Sequence, residues 1–133
     1  MKISAFVRNA PPQHEVVVST AGSAQALTVP AKRSGEGSSV NGGEFLMLAL
    51  ATCYCNDLYR EAARLGVPIE SVEVEASAEF PGVGLAATGI AYRAKVSSPA
   101  SPAEIGELLR ITDAVAEVHN TVRAGASVTL ERA

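Results

Sequence analysis

One helix, apolar on nearly every side, limits what this chain can fold into more than any other feature. From Glu44 to Leu65 the residues are good helix formers, and from Phe45 to Cys55 they are apolar nearly all round. Gly66 supplies a stop, with Pro68 just beyond it. A helix of that kind has to be buried. The expectation is therefore a long central helix whose N-terminal half runs through the core. Its C-terminal half, with Asp57, Arg60, Glu61 and Arg64, reaches the surface. The unbroken apolar run, Phe45 to Ala51, is far below the roughly 20 residues of a membrane span. At 133 residues the chain has the size of one domain, and folding would bury roughly two-thirds of its accessible surface.

Around this helix the pattern changes period. Lys2 to Val7 alternates polar and apolar, His14 to Ser19 is β-branched, and Ala26 to Val29 precedes Pro30. Pro11-Pro12 and Ala21-Gly22-Ser23 separate these runs, which predicts a three-stranded N-terminal meander. The Gly- and Ser-rich stretch Lys32 to Gly43 reads as a loop feeding the helix. Beyond the helix, Ser71 to Phe80 and Gly89 to Val96 alternate as strands, divided by the turn Pro81-Gly82-Val83-Gly84. Ser101-Pro102-Ala103-Glu104 is a helix start with the makings of a capping box. A second helical piece is expected from Asp113 to Arg123 and a last strand over Ser127 to Leu130. Strands and helices in separate blocks argue an α+β domain over residues 1–133.

Composition narrows the function classes. Hydrophobic residues make up 47% and charged residues 19%, which is globular rather than disordered. Net charge is −3 and no basic run interleaves with aromatics, so nucleic acid is not an expected partner. The two cysteines stand two residues apart, which is no disulfide framework. No charged segment followed by an apolar one opens the chain at Met1 to Val7, so a reducing cytoplasm is the expected location.

The segment Asn41-Gly42-Gly43-Glu44-Phe45-Leu46-Met47-Leu48-Ala49-Leu50-Ala51-Thr52-Cys53-Tyr54 resembles that of the OsmC/Ohr family, where an Asn/Ser-Pro-Glu turn opens a buried helix. The informative parts are the entry turn, the small-residue helix face and a Cys followed by an aromatic. The order of elements fits the same family along essentially the whole chain. The resemblance implies an intertwined homodimer with active sites at the subunit interface. It also implies reduction of organic hydroperoxides by a peroxidatic Cys on this helix, which a second Cys on a later helix resolves. Residue by residue, Cys53 matches the peroxidatic position. Arg8, after the first strand, stands where the family has an assisting Arg. The family's assisting Glu falls at Gly43, and Glu44 lies one position later, about 100° round the helix. The resolving region, Val118 to Thr121, holds no sulfur. A peroxidase of this kind needs an external thiol and no cofactor.

Thiol chemistry requires a thiolate. Cys53 lies about two and a half turns into the helix, beyond reach of the helix dipole, so a cation such as Arg8 would have to ionise it. The plainer reading is that Cys53 is a small buried hydrophobe. Cys53 shares a helix stripe with Leu46, Leu50, Asp57 and Arg60. Cys55 shares one with Leu48, Thr52 and Tyr59, about 200° away, and is a poor resolver. A carboxylate at Asp57, one turn from the thiol, would raise its pKa, although a solvated Asp57–Arg60 ion pair accounts for both residues. A metal site from Cys53, Cys55, His119 and His14 is disfavoured, since one residue between two helical cysteines spreads them apart. His119 is expected to be hydrogen-bonded near the pocket. Two functions stand: a thiol-dependent hydroperoxide reductase, and a non-catalytic binder of a small apolar ligand at a dimer interface.

Overall fold

The computed structural model describes residues 1–133, which form two compact units, Met1–Phe45 and Leu46–Ala133. The first is an antiparallel meander of β1 (Ile3–Ala10), β2 (Gln13–Thr20) and β3 (Ser23–Leu27), with β2 in the middle. Val16 faces Val7 on one side and Leu27 on the other, and it is the buried apolar residue of this sheet. The β2–β3 turn has two central residues, Ala21 and Gly22, both at positive φ. A tight hairpin of type I′ requires that geometry; Gly22 meets it freely and Ala21 adopts it at some cost. The Gly/Ser stretch is an ordered loop. Ala31 bridges Ser38, and the N–H of Gly37 donates to Asn9 Oδ1 at 3.1 Å, which ties the loop to β1.

The second unit holds most of α1 (Gly42–Leu65), then β4 (Ser71–Glu79), β5 (Thr88–Ser97), α2 (Pro102–Val115) and α3 (Glu117–Arg123). β4 and β5 form an antiparallel hairpin in which Val72 faces Val96, Val74 faces Ala94 and Ala76 faces Tyr92. Alternation puts one side of this ribbon inward. Val72, Val74, Tyr92, Ala94 and Val96 pack against a core of Tyr54, Leu58, Ala62, Leu108 and Ala116. Leu58 and Leu108 are fully buried. The mixed α+β class and the N-terminal meander follow the sequence pattern. So does the capping box of α2, where Ser101 accepts from the Glu104 N–H and Glu104 accepts from the Ser101 N–H.

Four expectations are corrected. The burial of α1 is shifted towards its C-terminal half: Leu50 and Tyr54 are buried as expected, but Leu48 is 56% exposed, and Asp57, Leu58, Glu61 and Ala62 in the later turns are buried. The charged half sinks because its carboxylates are paired by Arg60 and Arg64 and because Leu58 and Ala62 belong to the core. The last strand does not form. Ser127–Leu130 is unpaired, with Val128 98% and Leu130 96% exposed, since alternation without a partner strand gives no ladder. β1 runs on to Ala10, so Arg8 lies within the strand, opposite Glu15, rather than after it. The helical piece expected over Asp113–Arg123 is divided. α2 runs on to Val115 and α3 starts at Glu117, with Ala116 between them in an extended conformation and fully buried.

Candidate functional site

The 24-residue α1 is opened by a second capping box. The Glu44 N–H donates to Asn41 Oδ1 at 2.8 Å, and the Asn41 N–H donates to Glu44 Oε1 at 3.3 Å. Both groups satisfy helix-terminal donors that have no partner inside the helix. Further along, the stripe carrying Cys53 is the inward one: Leu50 is 2% and Asp57 4% exposed. The stripe carrying Cys55 faces outward at Leu48 and Tyr59. Both cysteines are free and half-buried, and Cys53 packs against the core cluster.

The i,i+4 spacing sets Asp57 beneath Cys53, with Oδ2 3.6 Å from Sγ as an acceptor for the thiol. The break at Ala116 brings Glu117, at the start of α3, to the same sulfur, with Oε2 4.0 Å away. Sγ and the two carboxylates lie within 4.8 Å of one another. Arg60 sits on their other side, with its guanidinium 2.8 Å from Asp57 Oδ1 and 3.9 Å from Glu117 Oε1. Burial pushes the Cys53 thiol above its ordinary pKa, and the charges of Asp57 and Glu117 push the same way, while the Val118 backbone N–H opposes them. Burial likewise raises Asp57, against the pull of Arg60. Cys53 is thus a thiol with two acceptors beside it. The same three donors are the set best placed to hold a metal, but Arg60 already supplies their positive charge.

Beneath this group lies an aromatic cluster. The Tyr92 ring meets Tyr54 at 4.7 Å and His119 at 4.4 Å, both edge to face. Tyr54 donates to the Leu109 carbonyl at 2.8 Å and Tyr92 donates to Asp113, which Arg123 also holds at 2.6 Å. Burial and the nearby Asp113 charge push the Tyr54 hydroxyl up to about 12. His119 is 3% exposed and neither ring nitrogen has a hydrogen-bond partner, contrary to the expectation of a hydrogen-bonded histidine. Burial, then the Arg123 charge, lowers its pKa, so the ring stays neutral.

Of the residues singled out in the sequence, Cys53 occupies the centre of this group. Arg8 is exposed on β1 of the N-terminal unit. Glu44 is engaged in the capping box. Cys55 lies on the other side of α1 from the cluster, and His14 Nδ1 lies 3.0 Å from Asn9 Nδ2 within the meander. The Asp57–Arg60 pair exists, but Asp57 is buried rather than solvated. Glu117 was missed. Its signal is an acidic residue opening a helix, hidden because the break at Ala116 was read as continuous helix.

The fold and this group define a small α+β protein with a single core-packed thiol on its long helix. The family model described as OsmC-like protein matches residues 35–131, well over half of the chain. The chain belongs to the OsmC-like family. Among solved structures it is similar to an OsmC-like protein of Mycoplasma pneumoniae, with 18% identity and TM-score 0.65 over 92% of this chain and 86% of that one. It is also similar to an organic hydroperoxide resistance protein OsmC of Legionella pneumophila, with 17% identity and TM-score 0.63 over 92% and 90%. A third is an OsmC-like hydroperoxide resistance protein of Jannaschia, with 16% identity and TM-score 0.55 over 96% and 90%. No curated protein matches the chain. No helix is long and apolar enough to cross a membrane.

Proposed function

We propose that the protein is a one-cysteine hydroperoxide reductase acting through Cys53, with a thiol from outside the chain completing the cycle. The observation that carries this reading is a core-packed thiol on the long helix of an OsmC-like fold, facing the Val118 N–H and two proton acceptors. The name of the Legionella relative, a hydroperoxide resistance protein, supports it. In the first step the sulfur attacks the terminal oxygen of a hydroperoxide. The S–O bond forms, the O–O bond breaks, and the thiol proton passes to the departing alkoxide, giving sulfenic acid and alcohol. One external thiol then displaces water to form a mixed disulfide, and a second releases Cys53 and leaves as disulfide. Assistance from Arg8 and Glu44, and a homodimer as the working unit, belong to the same proposal. The exposed Leu48, Phe6 and Phe80 support a second copy as cover.

Because the thiol is held protonated, activity climbs with pH, about tenfold per unit while thiolate is the minor form. Cumene hydroperoxide consumption with dithiothreitol, followed between pH 6.5 and 9.5, is expected to show this slope and to vanish in Cys53→Ala. No consumption at any pH, or equal rates in Cys53→Ala, refutes the reading. A second reading, a non-catalytic binder, is favoured by the burial of the thiol, which with the two carboxylates keeps it protonated. It gains if Cys53 resists both peroxide and alkylation throughout that range.

A further inference from the structure

The surroundings of Cys53 carry a charge as well as a proton acceptor. Within its unit the side chains about the sulfur are Asp57, Glu117 and Arg60, with Glu61 and Arg64 in the same chain of ion pairs. Three carboxylates against two guanidiniums leave one negative charge. Its position matters more than its size. Both Asp57 and Glu117 turn one oxygen towards Arg60 and the other towards the sulfur. The positive charge is therefore on the far side of the carboxylates from Sγ. α3 adds one cation, Arg123, but its guanidinium is held by Asp113 at 2.6 Å, so that pair leaves no net charge, and His119 is buried and unpartnered. Asp57 is buried, but the Glu117 side chain is 72% exposed, so it meets an incoming molecule before the sulfur does.

We infer that Glu117, backed by Asp57, selects the reaction partners of Cys53 by charge: neutral and cationic electrophiles are admitted, and those carrying a carboxylate or sulfonate near the reacting atom are turned away. This rests on the reading that Cys53 reacts, and it assigns the substrate class of that chemistry as uncharged or cationic hydroperoxides and disulfides. Like charges separated by less than a Debye length, about 10 Å at 0.1 M salt, repel with little screening. A rejection set by one exposed carboxylate therefore weakens as salt is added.

The test uses two methanethiosulfonates of similar size, the cationic 2-aminoethyl and the anionic 2-sulfonatoethyl reagent. Each forms a disulfide with the Cys53 thiolate; the reagent's S–S bond breaks, methanesulfinate leaves with the electron pair, and the thiol proton goes to solvent. Labelling is followed by mass spectrometry in the full chain carrying Cys55→Ser, with rates divided by those of free cysteine. The cationic reagent is expected to be favoured about tenfold at 20 mM salt, and the preference to shrink at 500 mM. Glu117→Gln should cut it severalfold and Glu117→Lys should reverse it, with unchanged circular dichroism. A normalised ratio within about twofold of one, or one that Glu117→Gln leaves unchanged, overturns the inference. So does failure of the cationic reagent to label Cys53 up to pH 9.5. Charge-selective labelling without hydroperoxide consumption sinks the reductase reading alone. Hydroperoxide consumption without charge selectivity sinks this inference alone.

Discussion

At the scale of single residues, two buried polar groups make opposite demands. Asp57 is satisfied by Arg60 and by the thiol, and its charge adds to burial in holding the proton on Cys53. Asp57→Asn removes that charge, and the Cys53 thiol pKa is expected to fall. Alkylation by iodoacetamide at pH 7.5 should rise several-fold, about tenfold if the shift reaches one unit. A slower or unchanged rate would mean that burial alone sets the pKa. His119 is the unsatisfied case. Its folded pKa lies below the unfolded value of about 6.5. Below that pH the unfolded chain takes up a proton that the folded chain refuses, so stability present above about pH 6.5 is lost as pH falls towards the folded pKa. His119→Phe keeps an aromatic against Tyr92 and Tyr54 and removes the titration. Melting temperatures at pH 7.5 and 5.5 should differ less in the variant. An equal difference would exclude His119 as the source. That His119 would be near Tyr54 was legible from neither spacing nor periodicity, because it depends on how α3 docks.

At the scale of elements, helix ends were more legible than helix burial. Ser101-Pro102-Ala103-Glu104 announces its own cap, since the partners of a capping box are three residues apart and local geometry brings them together. Asn41 and Glu44 have the same spacing, and the structure gives Glu44 that structural employment. Asn41→Ala and Ser101→Ala are each expected to cost about 1 kcal/mol in chemical denaturation. The two losses should add, since the caps serve separate helices. Leu58→Ala, at a fully buried position, should cost about 3 kcal/mol. A cost below that of the cap variants would contradict the placement of the core on the later turns of α1. The extent of burial along α1 was misread because an apolar segment states that it will be covered but not by what. Asp57 and Glu61 are tolerated inside because Arg60 and Arg64 follow them at i+3.

At the scale of the whole molecule, the chain leaves more apolar surface open than scattered exposure explains. Phe6, Val7, Leu48, Phe80 and Leu85 are each more than half exposed, and Ser127–Leu130 is an alternating segment with no strand beside it. A second copy as cover predicts twice the chain mass by light scattering. Leu48→Lys is expected to shift the population towards monomer on dilution. A strictly monomeric wild type at 100 μM would remove the dimer from the proposal.

By itself the sequence determined five strands, the cap of α2, the long helix and the α+β class. All of these rest on short-range geometry: residue period, turn residues, and groups three or four positions apart. Only the tertiary structure decided which turns of α1 are buried and that Ser127–Leu130 stays unpaired. It also decided that the carboxylate beside Asp57 at the sulfur comes from Glu117, 64 residues away in the chain. Those outcomes depend on which surfaces meet after the elements form. Burial is a property of the pair of surfaces, and no residue carries it alone.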